Sequence, residues 1–485
     1  MRVHRARGTK LRAMTAVFDP LHLGAVSLDV LAGGHANAAA LAARQKSRLS
    51  ALLTAAVRGS ALYRERLQRV VPATVALSAL PVLSRAELMG RFDDWVTDPM
   101  LKLAELQDFV KDPLRMGESY LGKYLVWESS GTSHQSGVFV QDAKTMAVFD
   151  ALEALRRSAP RPLQRWLDPL LLSERVAFVG ATTGHFASAV TMQRLRQLNP
   201  WLANSMRSFS IAQPTAALVG ELNAFTPTVL ATYPSVAALL ADEAARGTLQ
   251  STPKEVWTGG ETLSAAVRKK IESALGCTVR NSYGASEFMS IGWECSQGHM
   301  HVNADWVILE PVDAQGRPTP AGALSHTTLL TNLANHVQPL IRYDMGDQIA
   351  MHHGACACGA SLPRIEVQGR CDDALVMAGT QGRSVTLLPL ALTTVLEDDA
   401  GVFDFQLCQQ DERTLVLKLE LRGHEGDLAM ARCLSALQGY AKSQGVASLR
   451  VVAELGQTIG RGRSGKSRRV VASSPVKTPF KRHRH

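Results

Sequence analysis

From about residue 124 to residue 282, short apolar runs alternate with longer stretches of helical periodicity, and this alternation constrains the fold more than any other feature of the chain. The runs at 175–179, 229–231, 255–258 and 278–282 are brief and drawn largely from β-branched, aromatic and aliphatic residues, as strands require. Between them, 234–246 and 264–275 carry apolar positions at helical spacing. Upstream, 124–127 reads as a strand entering the loop Ser129-Ser130-Gly131-Thr132-Ser133, and a helix is expected from Ala143 to about Arg157. Strands alternating with helices at this interval imply α/β layers around a largely parallel sheet.

The flanking regions have other textures. Residues 38–68 predict helices, 72–94 a loop followed by a further helix, and the chain turns to β and turn structure after about Trp306, at 306–310, 324–330 and 340–343. A last α+β module is expected from Gly369, with a strand at 415–421, a helix at 426–444 and a strand at 449–453. The expected division is therefore a large N-terminal domain over 1–368, with a helical start at 38–70 and a binding core at 124–350. A small mobile domain over 369–472 and a basic tail over 473–485 follow. With 485 residues, there is chain enough for two or three cores.

The net charge is +10, yet 461–485 holds nine Lys/Arg and no acid, so the remainder stands at only +1. That concentration argues for a solvated tail, and nucleic acid is not expected as a partner. No apolar run approaches the roughly 18–20 residues of a membrane span, and no cleavable leader pattern follows Met1. A cytoplasmic location without a membrane partner is the expectation. Seven cysteines are an odd number without framework spacing. Cys277, Cys371, Cys408 and Cys433 stand alone, whereas Cys295, His301, Cys356 and Cys358 form a set with metal-ligand character.

Several short motifs carry chemistry. The 129–133 loop offers hydroxyls and backbone N–H groups to phosphate oxygens. Thr258-Gly259-Gly260-Glu261 follows a strand and lets a planar base approach the backbone. Tyr283-Gly284-Ala285-Ser286-Glu287 joins an aromatic ring, a small turn and a carboxylate. Arg342-Tyr343-Asp344-Met345-Gly346-Asp347 ends in an acid able to take a pair of ribose hydroxyls. Gly369-Arg370-Cys371-Asp372-Asp373 opens the last module, and Ser464-Gly465-Lys466-Ser467-Arg468 lies near its end.

In this order the motifs resemble the adenylate-forming superfamily of acyl-CoA synthetases, adenylation domains and luciferases. The stretch from Asn281 through Glu294-Cys295, Gly298-His299-Met300-His301-Val302-Asn303 and Trp306 to Glu310 is similar to the phenylacetate–CoA ligase branch and its CoF-synthetase-like relatives. The resemblance covers about 48–471. It implies that Ser129, Ser130, Gly131, Thr132 and Ser133 wrap the β- and γ-phosphates of ATP, and that Gly259, Gly260 and Glu261 line the adenine pocket. Tyr283, with Gly284 beside it, would stack on the base. Glu287 would hold Mg²⁺, a hard ion suited to carboxylate and phosphate oxygens. Asp347 would accept from the ribose, with Arg370 nearby, and Lys466 would reach in from the small domain to offset charge as the carboxylate attacks. Asp372 falls at the expected hinge.

The implied activity is that of an AMP-forming ligase. A carboxylic acid, aromatic in much of the branch, is activated as acyl-adenylate and passed to coenzyme A or another thiol. Transfer to a carrier protein or an amine, and a non-catalytic nucleotide-binding homologue, are the alternatives. A homodimer is compatible with this reading.

One departure stands out. After Ser133 the superfamily pattern continues with Gly, any residue, Pro and Lys, where this chain has His134-Gln135-Ser136-Gly137. The cation near the phosphates is missing, and a neutral imidazole does not replace it at pH 7. Cys295, His301, Cys356 and Cys358 make a closed tetrahedral set for structural Zn²⁺, with His299, His352 and His353 as alternative ligands. The loop from Phe178 to Ala187 presents His185 and Phe186 towards an acyl pocket, with Tyr233 beside it; a Gly-rich turn without substrate contact is the rival reading.

Overall fold

The parallel strands lie side by side in one sheet of nine, and the remaining sheets are antiparallel or mixed. This is seen in a computed structural model that describes residues 17–459 and 469–472, except 69, 73, 130–136, 157–166, 168–172, 183, 212, 371–374, 381–383 and 388.

Two strands, β1 (Leu125–Glu128) and β2 (Val138–Gln141), form an antiparallel pair whose register runs from Leu125↔Gln141 to Glu128↔Val138. The loop after Glu128 therefore returns as a strand before the helix Ala143–Arg156 begins. The sequence reading passed over β2, whose Val138-Phe139-Val140 core is a short β-prone run.

Next come β3 (Val176–Gly180), β4 (Met206–Ser210), β5 (Val229–Thr232), β6 (Glu255–Gly259) and β7 (Thr278–Ala285). They stand in the order β7-β6-β5-β3-β4, all parallel. The helices Pro234–Ala245 and Ala265–Leu275 occupy the expected positions. Of the five strands, β4 was not expected; its Met-Arg-Ser-Phe-Ser sequence is polar at three positions and exposed at two, as befits an edge.

Beyond β7 the sheet continues antiparallel through β8 (Phe288–Glu294) and β9 (Met300–Val302). After β10 (Val307–Val312), β11 (Thr327–Asn332) and β12 (Tyr343–Asp344), which make a separate sheet, β13 (Asp347–His352) and β14 (Arg364–Arg370) complete the far edge. Gly284 sits at an irregularity in the β7–β8 pairing. A Cβ there would stand 1.9 Å from the Met289 carbonyl oxygen, so only glycine fits.

Short helices at Arg85–Gly90 and Phe92–Trp95 replace the loop expected over 72–94. Ser84 caps the first by accepting from the Glu87 N–H at 3.3 Å. The segment before it lies along the β12 region: Leu83 bridges Tyr343, and the buried Arg342 guanidinium donates to the Ser78 and Leu80 carbonyls and to Glu310. Sequence-distant residues 83–87 are held in this way against the chain around Glu287.

Further along are β15 (Leu375–Ala378) and β16 (Ser384–Leu387), then β17 (Phe405–Gln409), β18 (Thr414–Leu419), β19 (Arg450–Leu455) and β20 (Val470–Val471). The last four form one sheet with the helix Gly423–Ser443. The apolar side chains here, from Leu375 to Val470, gather into a core cluster of their own.

Candidate functional site

Several of the expected site residues, among them Tyr233, Gly259, Gly260 and Tyr283, lie on one rim, at the carboxyl ends of adjacent parallel strands. Gly180 ends β3, Thr232 precedes Tyr233 at the end of β5, Gly259 ends β6, and Ser282 and Tyr283 follow on β7. The register joins them laterally through Val179↔Thr232, Thr232↔Thr258 and Gly259↔Ser282. In an open parallel sheet this is the edge where ligands bind, because loops and helix starts expose their N–H groups there. Gly260, at φ +78, makes the turn that leaves β6.

The base of the 129–136 loop meets that rim. Ser129 is buried, and its N–H donates to the Gly137 carbonyl at 2.8 Å while its Oγ accepts from the Gly137 N–H at 2.8 Å. Glu128 donates its N–H to the His185 carbonyl at 2.7 Å, and the Trp127 indole donates to the Ser286 carbonyl at 2.9 Å. The loop's two ends are thereby fastened between the 184–186 turn and the strand bearing Tyr283. Ser130, Gly131, Thr132 and Ser133 themselves, with Asp372 and Lys466, lie outside the described residues.

Two carboxylates from distant parts of the chain close the constellation. Glu287 is buried, and its Oε1 accepts from Arg85 Nη2 at 3.0 Å and from Tyr343 Oη at 2.7 Å. Arg85 Nε also donates to Tyr343 Oη at 3.1 Å. Burial, reinforced by the Glu287 charge, holds the Tyr343 phenol well above its ordinary pKa, so it stays a donor. Asp347 is half-buried, begins β13 opposite Arg370, and accepts from Tyr283 Oη at 2.5 Å.

The remaining expected residues are held by contacts within the fold. Glu261 accepts from the N–H and Oγ of Ser235 at 3.0 and 3.1 Å, so its side chain caps the helix Pro234–Ala245. Tyr233 is buried beside it, its phenol pushed up to about 12 by burial and by the Glu261 charge. His185 is fully buried, with Nε2 2.9 Å from the Asp112 carbonyl and its ring edge-on to Phe109, while Nδ1 has no partner among the described residues. Phe186 is buried next to it.

A second cluster lies apart from the rim. Cys295 stands in the turn after β8, His301 on β9, and Cys356 and Cys358 in the loop between β13 and β14. Their four ligand atoms lie within 4.8 Å of one another. The Cys295–Cys356 sulfur separation is 4.0 Å, against about 3.8 Å for the edge of a tetrahedron with zinc–sulfur bonds of about 2.3 Å. His301 Nδ1 is 2.8 Å from the Leu362 carbonyl, which fixes its proton there and leaves Nε2, 3.4 Å from Cys358 Sγ, as the ligating atom. The His301 ring stacks on Trp293 with centroids 5.2 Å apart. Burial acts to raise the Cys356 thiol, but the Cys358 N–H and hydrogen bonds with His299 and His301 bring it down to about 5. Burial pushes Cys358 up to about 11, its sulfur neighbours adding to the effect. Donor set and spacing fit Zn²⁺; His299 Nδ1, 3.4 Å from Cys356 Sγ, lies just outside the four.

Residues 187–324, which run from the rim through Tyr283 and Glu287, match the family described as AMP-binding enzyme. Through that segment the chain is similar to the adenylate-forming superfamily. The chain is 32% identical over 183 residues to a phenylacetate-coenzyme A ligase of Thermus thermophilus, covering 36% of this chain and 39% of that one. It is 26% identical over 137 residues to Protein CapK of Staphylococcus aureus, covering 28% and 29%. The chain thus matches well under half the length of these curated relatives. The fold is similar to that of 2-hydroxyisobutyryl-CoA ligase in its postadenylation state with R3-HIB-AMP, with a TM-score of 0.63, 20% identity and 88% of each chain covered. Against the same ligase with 2-HIB-AMP and CoA in the thioesterification state the TM-score is 0.54, at 19% identity and with 90% and 91% covered.

Sequence reasoning missed Arg85 and Tyr343 as members of this candidate site. Tyr343 lay inside a quoted motif, but nothing in the motif marks its hydroxyl as a partner of Glu287. Arg85 is 202 positions from Glu287 in the chain, and no local pattern signals that separation.

Proposed function

We propose that this chain is an AMP-forming ligase that activates a carboxylic acid with ATP as an acyl-adenylate and then passes the acyl group to coenzyme A or another thiol. The observation that carries the reading is the junction of the 129–136 loop base with the strand-end rim, flanked by Asp347–Tyr283 on one side and Glu287–Arg85–Tyr343 on the other. A polyanion placed there would meet a guanidinium and a carboxylate suited to a divalent ion, while its ribose would reach Asp347.

On this reading Ser129 to Ser133 hold the triphosphate, and the backbone at Gly259 and Gly260 receives the adenine, with Tyr283 against its face. Glu287 holds the Mg²⁺ that accompanies the phosphates; bound there, the ion supplies charge neutralisation. Arg85, already on the same carboxylate, would hold Glu287 in place beside the ion. Lys466 offsets charge developing as the acid's oxygen attacks the α-phosphorus and pyrophosphate leaves. The division near Gly369, with the 369–472 unit moving relative to 1–368, fits a lysine that is needed for adenylation and in the way during transfer. Zn²⁺ in the Cys295–His301–Cys356–Cys358 set is structural, since all four positions are filled by protein.

The relative's name, phenylacetate-coenzyme A ligase, supports an aromatic acid and coenzyme A as the first choices. ATP–pyrophosphate exchange with a panel of aryl and alkyl acids, run with and without coenzyme A, tests the reading. Acid-dependent exchange, with thioester formed only when coenzyme A is present, is expected. ATP binding without exchange for any acid would leave a non-catalytic homologue instead.

A further inference from the structure

The helix Ala265–Leu275 begins shortly after the Gly259–Gly260 turn, and Ser264 caps it: its Oγ accepts from the Val267 N–H at 3.2 Å. The same hydroxyl donates its proton to Glu397, a residue 133 positions away in the chain that is only 2% exposed. The other carboxylate oxygen of Glu397 accepts from the guanidinium of Arg469, which also donates to the Phe403 carbonyl at 2.7 Å. Glu397 lies in a π-helical turn, Val395–Asp399, a rare conformation found mostly at functional positions. Nearby, the Phe403 ring packs against the core around the parallel sheet, with Lys270 Nζ 4.3 Å from its centroid.

Each side of this contact is oriented from within its own unit. Leu396, next to Glu397, is buried in the core cluster that runs from Leu375 to Val470. The Arg469 carbonyl accepts from the Leu407 N–H of β17 at 2.6 Å. Arg469 and Glu397 therefore stay paired wherever the small unit goes. Ser264 likewise keeps its cap to Val267, and Lys270 keeps its ion pair with Asp242 at 2.9 Å. What Glu397 and Phe403 add across the units is one hydroxyl–carboxylate hydrogen bond and one cation–ring contact. On parting, water replaces the hydroxyl at Glu397 while Arg469 still meets its charge, so the join breaks without stranding an unpaired buried ion. We propose that Ser264 and Glu397 form a latch that holds the small unit on the helix Ala265–Leu275, and that its release shifts the balance between acid activation and acyl transfer. The inference rests on the movement of 369–472 in the proposed function. Because this helix starts just past the turn assigned there to adenine, the latch ties the orientation of the small unit to the nucleotide rim.

The test is hydrogen–deuterium exchange of the full chain, with ATP–pyrophosphate exchange and thioester formation measured on the same variants. Ser264→Asp keeps a capping oxygen for the Val267 N–H and sets a second carboxylate against Glu397. Deuterium uptake over 395–403 should quicken at least about tenfold, the size expected for losing a hydrogen bond to a charged group, while uptake in the central sheet stays as in the parent. The ratio of pyrophosphate exchange to thioester formation should shift by about the same factor. Adding Glu397→Gln to Ser264→Asp gives the new carboxylate an amide donor and should return both readouts towards the parent. Unchanged uptake over 395–403 in Ser264→Asp would overturn the inference. So would faster uptake throughout the chain that the second substitution does not reverse, since the contact would then be an ordinary part of the fold. Faster local uptake with an unaltered ratio would overturn it equally, by separating the contact from the reaction. A parent chain without acid-dependent pyrophosphate exchange would sink the proposed function, while deuterium uptake still decides whether the latch exists.

Discussion

Glu287 and Asp347 are the two acids of the candidate site, and they are held in different ways. Glu287 is buried and meets a guanidinium and a phenol, so its charge is balanced before any ligand arrives. Asp347 sits half-buried at the start of a strand and takes a hydrogen bond from a neutral hydroxyl. A carboxylate paired with a cation in a buried setting is a rigid electrostatic element, costly to disturb. A carboxylate bonded to a hydroxyl resembles one bonded to a ribose and can exchange one partner for the other at little cost. On the proposed function the first would stand beside the reacting phosphates and the second would recognise the nucleotide.

If that contrast holds, Glu287→Gln should remove the most activity. Acid-dependent exchange is expected to fall on the order of 10²–10³-fold in kcat, the size typical of losing a preorganised electrostatic group, with the folded state retained by circular dichroism. An equal effect on nucleotide binding alone would erase the distinction between the two acids. Lys466→Ala should lower adenylation to a similar extent, about 10²-fold, yet leave ATP affinity near that of the parent, measured by calorimetry.

Arg85→Ala sharpens the comparison from the other side, since it strands Glu287 without its cation. A destabilisation of about 2 kcal/mol is expected in denaturant unfolding, together with a fall in exchange smaller than that of Glu287→Gln. Asp347→Asn should instead raise the KM for ATP about tenfold while kcat changes little, equivalent to about 1.4 kcal/mol of binding. Smallest is Tyr283→Phe, which removes one hydroxyl donor from Asp347 and should cost about 1 kcal/mol in ATP binding; a larger loss would mean that the phenol itself touches the ligand.

The Cys/His set offers a third kind of site, and it was the most legible. Cys-x-Cys-Gly and Cys-x₅-His are local patterns, and only the meeting of two loops remained for the fold to supply. The parallel strands at 176–180, 229–232, 255–259 and 278–285 were equally readable, because short β-prone runs between helical repeats admit few alternatives. β2, the edge strand β4, helix Pro20–Gly34 and the short helices near Arg85 were not. β2 is only four residues long, β4 is polar, and the short helices depend on Ser84 as a cap and on packing beside Tyr343. Glu261 shows a different limit. Its side chain caps a helix 26 positions upstream, a contact that its motif does not signal.

From the residues alone came the alternation of strands and helices, the order of the motifs and the chemical types at each, hydroxyls and glycines in one loop, single acids in two motifs, thiols and an imidazole in a fourth. Tertiary structure alone decided which of them meet, that Glu287 is neutralised by Arg85, that Asp347 faces Tyr283, and that three leucines of the first helix are left in solvent. Local sequence governs backbone conformation through sterics and spacing, whereas burial, charge pairing and exposure depend on contacts between segments far apart in the chain, which only the folded chain brings together.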